Sequence, residues 1–198
     1  MEYQDQKQNI ELIAMGASTG GTEALLAVLK ELPGNLPPIV ITQHMPPVFT
    51  EMYAERLDRL CAMEVREAKD GDALYPGLCL IAPGGLQMRV YRDVLGARVS
   101  CKEEDKVSGH CPSVDVLFHS VAEAYKASAI GILLTGMGKD GAKGLLAMHE
   151  QGAYTLGQDE KSSVVYGMPM EAYKLGAVSQ QGNLQQIAQY LLKRIRFH

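Results

Sequence analysis

The sequence contains no Cys-x-x-Cys pair. Cys61, Cys79, Cys101 and Cys111 are separated by 18, 22 and 10 positions, and none has a second histidine nearby at metal-site spacing. Zinc and dithiol redox motifs are therefore excluded, no metal or cofactor is expected, and the four thiols are read as reduced and structural. No apolar run approaches the ~20 residues that a membrane span requires. Residues 1–8 carry neither the basic nor the apolar part of a secretory signal. The expectation is a cytoplasmic protein without direct membrane insertion. Basic blocks are also missing: 19 Lys and Arg stand against 23 Asp and Glu, for a formal charge of −4. That balance argues against general nucleic-acid or anionic-membrane binding. Repeats, low-complexity tracts and Pro/Ser-rich linkers are absent, so the 198 residues read as a flexible segment 1–8 followed by one domain, 9–198. A chain that is 46% hydrophobic and 21% charged is ordinary for a globular protein and can bury a sizeable core.

What is present alternates between short apolar runs and helical periodicity. Residues 10–15 predict a strand ending in glycine. Leu25, Val28, Leu29 and Leu32 then share one face of a helix over 22–32, stopped by Pro33-Gly34. Residues 39–42 read as a second buried strand, followed by a helix over 49–60. Between 64 and 101, turn signals punctuate short runs, among them 78–82 and 87–91, which together read as an antiparallel hairpin insertion at one edge. Ser113 is the expected N-cap of a helix carrying Val114, Leu117, Phe118, Val121 and Tyr125. A third apolar strand follows over 129–135, then a helix over 141–151, a strand over 153–156 and a last helix over 184–195. The buried stripe of that last helix is Leu184, Ile187, Leu191 and Ile195, with Lys193, Arg194 and Arg196 at its negative end. Continuous apolar strands alternating with amphipathic helices imply an α/β fold: a mainly parallel sheet with helices on both faces. In such folds chemistry gathers beyond the C-terminal strand ends.

Three such ends carry candidate catalytic groups. Gly16-Ala17-Ser18-Thr19-Gly20 fits G-x-S-x-G on a strand-to-helix turn, which pushes a serine hydroxyl out of the sheet edge. His44 follows the second strand in Thr42-Gln43-His44-Met45-Pro46-Pro47. Asp140 follows the third in Thr135-Gly136-Met137-Gly138-Lys139-Asp140-Gly141. Taken singly these residues suit a phosphate nest, a loop hydrogen bond and a helix N-cap. Together they suit a nucleophile, a base and a carboxylate that orients the imidazole through Nδ1–H. The order Ser, His, Asp differs from those of the α/β-hydrolases, chymotrypsin-type proteases and subtilisin. It marks either a triad on another scaffold or a coincidence. A nucleotide- or phosphate-binding domain using residues 16–21 is the rival reading. Against it stand the missing G-x-G-x-x-G and Walker lysine, and Glu23, which repels phosphate.

Five segments in order resemble the catalytic domain of the chemotaxis protein-glutamate methylesterases, of the CheB type, over roughly residues 11–190. They are Gly16-Ala17-Ser18-Thr19-Gly20-Gly21-Thr22-Glu23, Ile41-Thr42-Gln43-His44-Met45-Pro46-Pro47, Pro112-Ser113-Val114-Asp115-Val116-Leu117-Phe118, Leu134-Thr135-Gly136-Met137-Gly138-Lys139-Asp140-Gly141 and Val164-Val165-Tyr166-Gly167-Met168-Pro169. The resemblance implies a serine hydrolase triad on Ser18, His44 and Asp140. It implies hydrolysis of glutamyl methyl esters on the cytoplasmic helices of methyl-accepting chemoreceptors, with release of methanol, and deamidation of receptor glutamines; the alternative is a non-catalytic receptor-binding module that keeps the fold. Members of the family typically carry an N-terminal receiver domain; residues 1–198 read as the catalytic domain without it, so activity independent of a phosphodonor is expected, in a monomer. The backbone amides of Thr19 and Met137 are the expected oxyanion donors. His110 has a possible role on the substrate side. His119 and His149 are read as surface or packing residues, Met45, Met88, Met168 and Met170 as core filling, and Lys139 and the run Glu103-Glu104-Asp105 as solvated.

Overall fold

A computed structural model describes residues 9–195. The expected loose segment 1–8, and Arg196 at the end of the last helix, lie outside the described residues. Continuous apolar segments become the inner strands β1 (Leu12–Ala17), β2 (Ile39–Gln43), β4 (Leu78–Ile81) and β7 (Ala129–Leu133), every residue of them buried. With β3 (Glu64–Glu67), β8 (Tyr154–Gln158) and β9 (Gln180–Gly182) they form one sheet in the order β3-β4-β2-β1-β7-β8-β9, parallel throughout. Side-chain alternation along the strands builds two cores. Ile13, Met15, Ile39, Ile41, Ile130 and Ile132 face α1 (Gly21–Leu29), α2 (Phe49–Leu60) and α6 (Leu184–Arg194). Leu12, Ala14, Val40, Leu80 and Leu133 face α3 (Val114–Tyr125), α4 (Ala142–Glu150) and α5 (Met168–Lys174). The helix α6 starts in a capping box made by Asn183 and Gln186, and Lys193 and Arg194 lie in its last turn, where they favour its dipole.

Only part of the middle region is a hairpin. The segment 78–82, expected in an antiparallel edge insertion, instead enters the parallel sheet as β4 between β2 and β3, because its wholly apolar side chains are buried by neighbours on both faces. The antiparallel pair is β5 (Gln87–Asp93) with β6 (Gly96–Lys102), and its Met88, Val90, Val99 and Cys101 pack into the same core as Leu117, Phe118 and Val121 of α3. The hairpin therefore covers α3 rather than extending a sheet edge.

From β1 the chain crosses to β2 on one side, while β7 later enters on the other. The boundary between β1 and β7 is thus the topological switch point, where the loops diverge and leave a crevice. The turn after β1, the loop after β2 and the loop after β7 all open at this end. No helix among the described residues is long and apolar enough to cross a membrane. The four cysteines form no disulfide, and Cys79 and Cys101 are buried.

Candidate active site

Ser18 follows the last residue of β1 and is half-buried, with Thr19 exposed beside it. Its backbone is tied on both sides. The Ser18 N–H donates to the Thr135 carbonyl at 3.0 Å, and the Ser18 carbonyl accepts from the Gly21 N–H at 2.7 Å and the Gln43 side-chain amide at 2.9 Å. Thr135 is the knot under this turn. Its hydroxyl lies 3.0 Å from the Thr19 carbonyl and 3.2 Å from that of Val165, and accepts from the Val165 N–H. Its own N–H donates to the buried Gln158 side chain. Gly136 is required next, because a Cβ there would lie 2.8 Å from Ser18 Cβ and against Met168 Sδ.

The loop after β2 is registered by the His44 N–H, which donates to the Ala17 carbonyl at 3.2 Å. His44 Nε2 lies 2.6 Å from Asp140 Oδ2, with the imidazole 8% and the carboxylate 1% exposed. This corrects the expected Nδ1 pairing. With the ring anchored on β2 and the carboxylate reached from β7, it is Nε2 that meets Asp140, while Nδ1 is buried without a hydrogen-bond partner. Nδ1 is thus the ring nitrogen that does not meet the carboxylate, and the Ser18 hydroxyl makes no hydrogen bond to it.

Asp140 is not the cap of its own helix. The N-cap of α4 is Gly141, at φ +88, where a Cβ would also lie 2.6 Å from Val114 Cγ1. That close approach brings the start of α3 onto the carboxylate instead. Oδ1 accepts from the Ser113 hydroxyl at 2.8 Å and the Asp115 N–H at 3.0 Å, and Oδ2 accepts from the Val114 N–H at 2.8 Å as well as facing His44. The carboxylate thus satisfies the free amides and positive end of α3. Burial alone pushes the Asp140 carboxyl up. The hydrogen bonds from His44, Asp115, Val114 and Ser113 outweigh it and hold the group below the ordinary carboxylate range. A second carboxylate stands behind: Asp115 accepts from the Gly144 N–H at 2.7 Å and lies 3.2 Å from the Ser108 hydroxyl. Burial, aided by the charge of Asp140, raises it.

The remaining expectations sort clearly. The amides of Thr19 and Met137 donate to nothing among the described residues, and the turn carrying Met137 abuts Ser18. Ser113 caps α3 as expected and also reaches Asp140, a second role that only the meeting of α3 with the β7 loop creates. His110 lies face to face with His44, with ring centroids 3.5 Å apart and planes 9° from parallel. His119 and His149 are exposed on α3 and α4, Lys139 is exposed, and residues 103–105 are exposed. Met88 and Met168 are fully buried, while Met45 and Met170 are partly buried. Among the described residues no cluster of His, Cys, Asp and Glu has the shape of a metal site.

The model of the CheB methylesterase family matches residues 13–191. The chain is 55% identical over 184 residues to protein-glutamate methylesterase/protein-glutamine glutaminase 2 of Syntrophomonas wolfei, covering 93% of this chain and 54% of that protein. To the protein-glutamate methylesterase/protein-glutamine glutaminase of Salmonella typhimurium it is 50% identical over 185 residues, covering 93% of this chain and 53% of the relative. The chain therefore spans about half the length of the curated relatives it matches. The crystal structure of the Thermotoga maritima CheB methylesterase catalytic domain superposes with a TM-score of 0.91 at 34% identity, covering 95% of this chain and all of that one.

Proposed function

The chain belongs to the CheB methylesterase family, and from that premise we propose that it is a cytoplasmic serine hydrolase that demethylates glutamyl methyl esters on chemoreceptor cytoplasmic helices in bacterial chemotaxis. Glutamine deamidation at the same centre is the companion activity. The observation that carries this reading is the buried His44–Asp140 pair, its carboxylate kept charged by the start of α3, set at the switch point beside the tied Ser18 turn.

In this mechanism His44 Nδ1 takes the Ser18 proton as Oγ attacks the ester carbonyl. The imidazolium is stabilised through Nε2–H by Asp140. The tetrahedral oxyanion is held by the Thr19 and Met137 amides, which have no other acceptor among the described residues. Collapse breaks the carbon–methoxy bond, and His44 returns the proton to the departing oxygen, releasing methanol and leaving a glutamyl ester on Ser18. Water, deprotonated by His44, then attacks this acyl-enzyme and restores the serine, with glutamate as product. An amide enters the same sequence with ammonia as leaving group. The protein acts as a monomer on the receptor helices and needs neither cofactor nor insertion into the membrane.

The test is methanol release from methyl-labelled chemoreceptor membranes. The parent is expected to release label, and Ser18→Ala to lose activity by about 10³-fold or more. Equal release by both would remove Ser18 from the reaction, and release by neither would assign the site to another ester.

A further inference from the structure

His110 takes no part in the proton relay above, yet its ring lies 3.5 Å from that of His44 with the planes 9° from parallel. A solvated loop histidine has no reason to hold such a pose, and the segment carrying this one is fastened at several points. Val107 and His110 exchange both backbone hydrogen bonds, each 3.0 Å, across a tight turn in which Ser108 has φ +53 and Gly109 φ +80. Gln87, fully buried at the start of β5, donates to the carbonyls of Asp105 and His110, both at 3.1 Å, and accepts from the Ser113 N–H at 2.8 Å. Ser108 reaches Asp115 at 3.2 Å, and Asp115 donates its N–H to Asp140. The same short stretch therefore holds the carboxylate with one end and the second ring with the other.

We propose that His110 is a positioning residue for the general base: its stacked ring fixes the imidazole plane of His44, so that Nε2 stays on Asp140 while Nδ1 stays aligned for Ser18. This rests on the reading of His44 as the base. His44 follows directly on β2 in a loop, and its ring makes a single hydrogen bond, about which an imidazole can turn. A wall on its face removes that freedom. The wall also bears on charge. A neutral neighbour tolerates the imidazolium that forms at each proton transfer, whereas a second cation at this distance opposes it. The charged and titratable groups around His110 are His44 from the β2 loop, Asp140 from the β7 loop and Lys106 on its own segment. Burial lowers the His110 ring below the ordinary imidazole value, His44 and Lys106 lower it further, and Asp140 opposes them. The ring is accordingly neutral at neutral pH and charges only as pH falls through that lowered value.

The experiment compares the parent with His110→Ala and His110→Phe, the latter keeping a flat ring that cannot titrate. One readout needs no substrate: the His44 Cε1–H signal in an NMR pH titration. It should carry the upfield shift of a stacked ring in the parent and in His110→Phe, and lose it in His110→Ala. A second inflection in that signal, where His110 titrates, should appear in the parent alone. The other readout is turnover of the methyl ester. His110→Ala should lower kcat by about tenfold, the scale of one aromatic stacking contact, with KM within about twofold. His110→Phe should recover most of that loss, and the low-pH fall of its log kcat/KM should lack the proton that His110 contributes in the parent. A His44 signal unchanged in His110→Ala would overturn the proposal, and so would kcat unchanged in that variant. Because the NMR arm is independent of the reaction catalysed, a failure of the stack and a failure of the methylesterase reading are distinguishable.

Discussion

Replacing Asp140 with asparagine probes the joint between fold and chemistry, because four donors converge on its two oxygens. Oδ2 faces His44 Nε2 at 2.6 Å and the Val114 N–H at 2.8 Å, while Oδ1 faces the Ser113 hydroxyl at 2.8 Å and the Asp115 N–H at 3.0 Å. An amide presents one oxygen and one NH2. Whichever way it turns, a backbone N–H at the start of α3 meets another donor in a site that is 1% exposed. A buried unsatisfied donor costs about 1–3 kcal/mol, and hydrogen bonds to a charge are stronger than those to a neutral amide. The expected destabilisation of Asp140→Asn is therefore about 2–3 kcal/mol in urea unfolding at neutral pH. The difference should depend on pH in one direction. Burial raises the Asp140 carboxyl, but its four hydrogen bonds bring it below the ordinary value. Its contribution is then complete above the unfolded-chain value of about 4 and fades as pH falls through the lower native value. Parent and variant should converge in acid. Turnover should drop more than stability suggests, by about 10³–10⁴-fold in kcat, because the imidazolium loses its counter-charge. Unfolding curves that coincide at neutral pH, or kcat within tenfold of the parent, would refute this account of Asp140.

Two further substitutions test neighbouring parts of the same structure. Asp115→Asn keeps an acceptor for the Gly144 N–H and gains a donor for Ser108, while removing a like charge beside Asp140. Since burial and that charge raise the Asp115 carboxyl, its ionisation disfavours the fold as pH rises. The variant should match or exceed the parent by up to about 1 kcal/mol at pH 7 in thermal unfolding. Gly136→Ala drives a methyl group to 2.8 Å from Ser18 Cβ. It should cost about 1–3 kcal/mol in stability and lower kcat about 100-fold by displacing Ser18, the proposed nucleophile, both measurable on the purified variant.

The legible parts of this fold were those whose signal is local. The continuous apolar runs became the inner strands. The helix expected over 49–60 is α2, and Ser113 caps α3. The edge strands β3, Glu-Val-Arg-Glu, and β9, Gln-Gln-Gly, carry no apolar run, because one side of an edge strand has no neighbour to bury it. The short α5 begins with Met168-Pro169 and offers too few turns for a periodic face. The fate of β4 depended on partners from either side of it in the chain, and an apolar tetrapeptide does not name them. The candidate site divides in the same way. Ser18, His44 and Asp140 were singled out because each lies in a segment that follows a buried strand, a property visible along the chain. Which imidazole nitrogen meets the carboxylate depends on how two loops approach one another. That the start of α3 cradles Asp140, and that His110 stacks on His44, depend on contacts between segments far apart in sequence.

The claim underlying all of this is that Ser18 is a nucleophile activated by His44. It is tested most directly by treating the protein with a fluorophosphonate and mapping the adduct by peptide mass spectrometry. The account predicts a single adduct on Ser18, formed about 10³-fold more slowly in His44→Ala and absent from Ser18→Ala. An adduct on another residue, or one that forms on Ser18 at the parent's rate without His44, would contradict it.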